Sequence, residues 1–174
     1  TINGRTYAGV SAGSYTAEPI IAGAWTSQTG EITPNSLNSV VFSTASLGIA
    51  VGNNGVILKT TDGGATWQTR PSGTGEYLYN VKMVSASVGW AVGNAGTVLK
   101  TTDGGESWQK QKLNTGNYVS AVSFADENRG WLIVNGNTIY TTANGGTTWT
   151  SQINLGTSLT DIKAVSTTTA WVVG

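Results

Sequence analysis

The chain is expected to be all-β, a propeller-type array of four-stranded antiparallel blades. Three features predict this: a recurring turn motif, two phased sets of tryptophans, and four short strand-like runs in each period. TTDGG(A/E)(T/S)W occupies residues 60–67 and 101–108, and a diverged copy, TANGGTTW, occupies 142–149. Trp25, Trp67, Trp108 and Trp149 lie 42, 41 and 41 residues apart, while Trp90, Trp131 and Trp171 lie 41 and 40 apart. A period of about 40 to 50 residues rich in short strands marks propeller blades, because one blade cannot bury its faces alone and must stack on its neighbours.

Taken in order, residues 1–28 are expected to supply strands that complete a blade, with Trp25 in an outermost strand D. The repeats follow over 29–174, at about 37–70, 78–112, 118–152 and, in part, 159–174. The second repeat is the clearest, with strand-like runs at 79–84 (A), 89–92 (B), 97–101 (C) and 107–110 (D). Its B–C connection, Gly93-Asn94-Ala95-Gly96, recurs as Gly52-Asn53-Asn54-Gly55 and Val134-Asn135-Gly136-Asn137. Asn and Gly tolerate the positive φ of a tight hairpin turn.

The C–D connection carries the repeated motif. Asp62 and Asp103 are placed to accept backbone N–H groups across the turn, Gly64 and Gly105 to take positive φ, and Trp67 and Trp108 to pack on the sheet. In the third repeat Asn144, Gly146 and Trp149 hold the same places, and the loss of the carboxylate predicts a weaker turn. Asp62 and Asp103 stand one blade apart, so they cannot converge as an acid–base pair or a metal site, and the motif is expected to be a structural staple.

Composition narrows the function. Nine basic and nine acidic residues give a formal net charge of zero, which leaves no broad field for nucleic acid or anionic lipid. There is no Cys and no His, so disulfides, thiol nucleophiles, the usual zinc ligands and the commonest general base are missing. No enzyme activity, cofactor or metal is expected, nor nucleic acid as a partner. No apolar run approaches the roughly 18 residues of a membrane span, so membrane insertion is not expected either. The Thr, Ser, Asn and Gly bias with few Lys predicts an extracellular or cell-surface protein, and a start at Thr1 rather than Met points either to processing or to an artificial boundary.

Two candidate sites follow from the repeat. Strand A of each blade should line the central channel, with Val41, Lys82, Ser123 and Lys163 in one inner row and Ser39, Asn80, Ala121 and Asp161 in another. The row between them, Val40, Val81, Val122 and Ile162, should be core. The candidate channel ligands are Asn80, Lys82, Asp161 and Lys163, suited to a small anion or an acidic side chain. The D–A and B–C loops share one face of the disc, where Arg70, Tyr77, Tyr79, Asn94, Asn117 and Tyr118 are candidates for binding peptide or carbohydrate.

S/T-x-D-x-G-x-T/S-W is the Asp-box, or BNR, motif. Together with Gly89-Trp90-Ala91-Val92-Gly93-Asn94 and the run from Leu99 to Gly105, it resembles the photosystem II stability and assembly factor-like propeller family over about residues 37–174. The first repeat departs from it with Ile49 where Trp90 and Trp131 stand, and the third with Ala143 and Asn144. The resemblance implies the fold; the family name is attached both to bacterial surface proteins and to photosystem assembly chaperones. Sialidases share Asp-boxes, but their arginine cluster has no counterpart in Arg5, Arg70 and Arg129, which fall at unrelated places in the repeat.

The expected function is therefore a non-enzymatic surface propeller for binding or assembly, with a protein partner or a second copy joined head to tail. The alternatives are a fragment of a larger propeller such as a photosystem assembly chaperone, or a sialidase-like hydrolase. Strands A and B of a fourth repeat, at 160–165 and 170–173, lack C and D. Closure within one chain, completion by another copy, and membership of a larger ring are the three ways to cover such a half-blade.

Overall fold

The structure, a computed structural model, describes residues 33–174. The strands expected within 1–28, with Trp25, lie outside the described residues. Three four-stranded sheets follow one another along the chain. The first holds β1 (Leu37–Phe42), β2 (Gly48–Gly52), β3 (Ile57–Thr60) and β4 (Gln68–Arg70). The second holds β5 (Leu78–Met83), β6 (Gly89–Gly93), β7 (Val98–Thr101) and β8 (Gln109–Lys110). The third holds β9 (Val119–Phe124), β10 (Gly130–Val134), β11 (Thr138–Thr142) and β12 (Thr150–Asn154), and β13 (Asp161–Ala164) pairs with β14 (Ala170–Val173) as a half-blade. Each strand pairs antiparallel with its chain neighbour, so every sheet is a meander.

The B–C hairpins close as type I′ turns. Asn54 and Gly55 have φ of 56° and 69°, Ala95 and Gly96 49° and 67°, and Asn135 and Gly136 53° and 67°. The closing bonds are Val56 N to Asn53 O (3.2 Å), Thr97 N to Asn94 O (2.9 Å) and Asn137 N to Val134 O (3.3 Å). Asn-Gly suits this turn, whereas Ala95 holds a left-handed conformation with no side-chain reason to prefer it.

The core lies between blades rather than within one. All five residues of β2, β6 and β10 are buried because these strands are covered on both faces. Successive blades touch mainly through strands A and B of one and strand A of the next. Ile49, Val81, Ala91 and Trp108 pack between the first and second blades; Trp90, Val92, Val122 and Phe124 between the second and third; Trp131, Ile133 and Ile162 between the third and the half-blade. Trp90 stacks on Phe124 with ring centroids 3.5 Å apart and planes 6° apart, and its Nε1 donates to Gly145 O at 3.2 Å.

Of the row expected to be core, Val81, Val122 and Ile162 are buried as predicted, but Val40 is exposed. Among the described residues no blade precedes the first, and none of them covers Val40 from that side.

Candidate functional site

Each C–D turn is built around one side chain. Asp62 Oδ1 accepts from Thr60 Oγ1 (2.7 Å) and Thr66 N (2.9 Å), and Oδ2 accepts from Thr66 Oγ1 (2.6 Å), while Gly64 N donates to Thr60 Oγ1 at 2.9 Å. Asp103 repeats this with Thr101 Oγ1 (2.8 Å), Ser107 N (3.0 Å) and the Ser107 hydroxyl. In the third blade Asn144 Oδ1 still accepts from Thr142 Oγ1 (3.0 Å) and Thr148 N (2.9 Å), and Nδ2 donates to Thr148 Oγ1 at 2.9 Å. The Asn copy keeps the geometry and gives up only the charge assistance.

The hydrogen bond from the Thr66 hydroxyl, then the bonds from Thr66 N and Thr60, lower the Asp62 pKa to about 2; the Ser107 hydroxyl and N–H do the same for Asp103, also to about 2. A folded-state pKa below the unfolded value stabilises above the unfolded pKa and loses that contribution as pH falls. Thermal stability is therefore expected to drop between about pH 4 and pH 2. The double variant Asp62→Asn/Asp103→Asn should show a shallower acid limb, since Asn144 already demonstrates that the amide fits. Melting curves measured across that range check it, and an unchanged slope would remove the turns as its source.

A mixed-charge contact not legible from the motif joins the first two blades. Glu106, inside the second Asp-box turn, accepts from Lys59 Nζ at 2.7 Å and Arg70 Nε at 2.7 Å. Lys59 is buried, and these two cations hold the Glu106 carboxyl below its usual range, Lys59 contributing most. Ala65 and Thr147 stand at the same motif position, so the repeat itself gave no signal for Glu106. The pairing also commits Arg70, a candidate for the loop face, to an interblade ion pair.

The rest of the loop face is assembled by backbone bonds between B–C turns and D–A loops. Asn94 N donates to Tyr77 O (2.8 Å), Gly96 N to Asn117 O (2.8 Å) and Asn135 N to Tyr118 O (2.9 Å). Tyr77, Asn94, Asn117 and Tyr118 are exposed, and Tyr79 meets Tyr118 edge to face at 6.4 Å and 88°. Asn94 Nδ2 donates to Glu76 at 3.1 Å. The result is a tyrosine pair across the second and third blades, with Tyr77 and amide side chains beside it.

The channel rows are less polar than expected. Ala121 and Ser123 are buried, and Ser123 Oγ accepts from Ala164 N at 2.9 Å. The blades approach closely enough there to use the hydroxyl as an internal bridge. Asn80 and Lys82 are half-buried, and Asn80 Oδ1 is buried without a hydrogen-bond partner. Asp161 and Lys163 are exposed on β13. Among the described residues no group of three or more His, Cys, Asp or Glu side chains is placed to hold a metal ion.

Meander blades stapled by Asp-box turns define an Asp-box repeat scaffold of the propeller type. Over residues 18–154, and again over 106–174, the chain matches the family described as photosynthesis system II assembly factor YCF48, and it belongs to that family. It is similar to the structure of YCF48 bound to D1 peptide, with 26% identity, a TM-score of 0.63, and coverage of 70% of this chain and 42% of that one. It is also similar to YCF48 from Cyanidioschyzon merolae, at 24% identity and TM-score 0.64, covering 74% of this chain and 47% of that one. The GH74 enzyme of Niastella koreensis shares the fold at 19% identity and TM-score 0.68, covering 86% of this chain and 30% of that one. Among curated proteins nothing matches.

The chain thus spans less than half the length of the YCF48 chains it matches. Membership of a family described by photosystem assembly overturns the extracellular or cell-surface location expected from composition. The Thr, Ser, Asn and Gly bias behind that expectation is the chemistry of the Asp-box and type I′ turns, repeated in each blade, and carries no information about location.

Proposed function

We propose that the chain is a non-enzymatic protein-binding scaffold of the YCF48 type, which holds a peptide segment of its partner on the loop face around Tyr77, Tyr79, Asn94, Asn117 and Tyr118. The observation that carries this reading is the exposed tyrosine cluster bridging two blades, in a family with a member solved with a D1 peptide. Tyrosines offer rigid amphipathic area at low ordering cost, and amide side chains pair with a peptide backbone. A carbohydrate would use the same groups. The Asp-box carboxylates are absorbed by their turns and Glu106 by its two cations, which supports a role other than hydrolysis. Asn80, Lys82, Asp161 and Lys163 form a secondary candidate site for an acidic group.

Titrating fluorescently labelled D1 peptide against the chain tests the reading. Saturable binding is expected, weakened about tenfold or more by Tyr118→Ala if this side chain is an anchor worth at least about 1.4 kcal/mol. No saturable binding at millimolar protein defeats the peptide reading, and unchanged affinity in Tyr118→Ala moves the site off this face.

A further inference from the structure

The B–C turn of the second blade gathers a carboxylate and the tyrosines of the loop face. Asn94 N donates to Tyr77 O at 2.8 Å, and Asn94 Nδ2 donates to Glu76 Oε2 at 3.1 Å. Two residues on, Gly96 N donates to Asn117 O at 2.8 Å, which seats the neighbouring Tyr118 beside the same turn. Tyr118 meets Tyr79 edge to face, and Tyr77 and Tyr118 are 44% and 39% exposed. The repeat puts Asn35 and Asn117 at the position of Glu76, so this carboxylate is peculiar to the second blade. In the first blade Asn35 Oδ1 accepts from Asn54 Nδ2 at 2.6 Å, so bonding to the turn from this place needs only an amide oxygen. The charge of Glu76 is surplus to the turn.

Glu76 is also held in place and left without a cation. It is half-buried, and its N–H donates to Thr74 Oγ1 at 3.1 Å. Among the described residues the ion pairs are those of Glu106 with Lys59 and Arg70, and Glu76 accepts a hydrogen bond only from Asn94. Lys110 and Lys112 share a cavity of about 500 Å³ with Ala95 and Gly96, yet neither pairs with Glu76. A carboxylate already ordered by its neighbours loses little freedom on meeting a cation. Tyrosine ring faces attract the same cation through their quadrupole. A guanidinium is planar, so it can pair with a carboxylate and stack on a ring at once, where an ammonium acts as a point charge.

Resting on the loop-face reading and deepening it, we propose that the bound segment of the partner carries a basic side chain, arginine fitting best, which pairs with Glu76 and lies against the exposed tyrosine rings beside the Asn94 turn. The face then selects by charge as well as by shape. An acidic residue at the same place in the segment would meet Glu76 and be rejected.

The labelled D1 peptide serves as the frame for the test, with each of its positions replaced in turn by arginine and by citrulline, the neutral isostere. At one position at least, arginine should bind on the order of fivefold more tightly than citrulline. Glu76→Gln keeps an acceptor for Asn94 and should fold like the parent, as circular dichroism would confirm, but it should bind the arginine and citrulline peptides alike. Glu76→Lys should reverse the preference and favour glutamate over arginine at that position. If arginine has no advantage over citrulline anywhere, the inference falls, while D1 peptide binding that still weakens in Tyr118→Ala leaves the loop-face reading standing. An arginine advantage that survives in Glu76→Gln overturns the assignment to Glu76. No saturable binding by any peptide of the series overturns the reading and the inference together.

Discussion

Replacing Trp90 by alanine is expected to destabilise the array by about 3–5 kcal/mol, the range for emptying a large aromatic site in a packed core. Trp90 is fully buried, lies flat on Phe124, donates to Gly145 O and carries Lys100 Nζ 5.1 Å from its ring centroid. Truncation opens a cavity between two blades and leaves the Gly145 carbonyl without its donor. In a repeat array stability is divided between units and their interfaces, so breaking one interface should also lower cooperativity. Urea unfolding followed by circular dichroism should show an earlier midpoint and a smaller m-value, with the third blade uncoupling from the second. Trp171→Ala, at the same repeat position but exposed, should cost less than about 0.5 kcal/mol in the monomer. A Trp90→Ala cost below about 1 kcal/mol would mean the stack is not what couples the blades.

The contrast between these two tryptophans also marks where sequence reading succeeds and where it stops. The 41-residue step between Trp90 and Trp131, the Gly/Asn turns and the repeated Asp-box determine strand order, hairpin type and blade boundaries, because each is a local rule restated three times. The observed β5, Leu78–Met83, lies one residue from the expected run, a shift tied to the irregular register between Leu78 and Asn80. Periodicity treats equivalent positions alike, so it placed Val40 in the core with Val81 and Val122. Whether a neighbouring blade covers a position is a property of the array and not of the repeat.

The site was legible to a similar depth. B–C turns and D–A loops meet at one edge of each sheet, which is why backbone bonds such as Asn94 N to Tyr77 O join them. Arg70 was assigned to that face from its place at the end of strand D, yet its guanidinium reaches the Glu106 carboxylate of the next blade. Glu106 has no counterpart in the other two motifs, so no periodic argument finds it. Ala121 and Ser123 of the channel rows are buried instead, because strand A there lies close enough to the next blade for Ser123 to bind its backbone. Only the spacing between blades, which sequence does not report, decides between channel and core.

Gly105→Ala is expected to cost roughly 2–5 kcal/mol, from a left-handed alanine and an overpacked neighbour. Gly105 is buried at φ +83°, and a Cβ there would lie 2.4 Å from Ile49 Cδ1 and 3.3 Å from Ile49 Cγ1. Ile49 is itself buried between the blades, so it has no open space to move into. Gly116→Ala is the control, since its Cβ meets nothing within 4 Å and its φ is not positive, and it should fall within about 0.5 kcal/mol of the parent. Ile49→Val removes the Cδ1 atom that clashes. In the Gly105→Ala background it should therefore recover about 1 kcal/mol relative to its own cost in the parent, and the backbone strain should remain. Chemical denaturation of the four chains in that cycle measures the coupling. Strict additivity would show that the turn conformation alone, and not the seat of Ile49 on the neighbouring Asp-box, makes glycine necessary there.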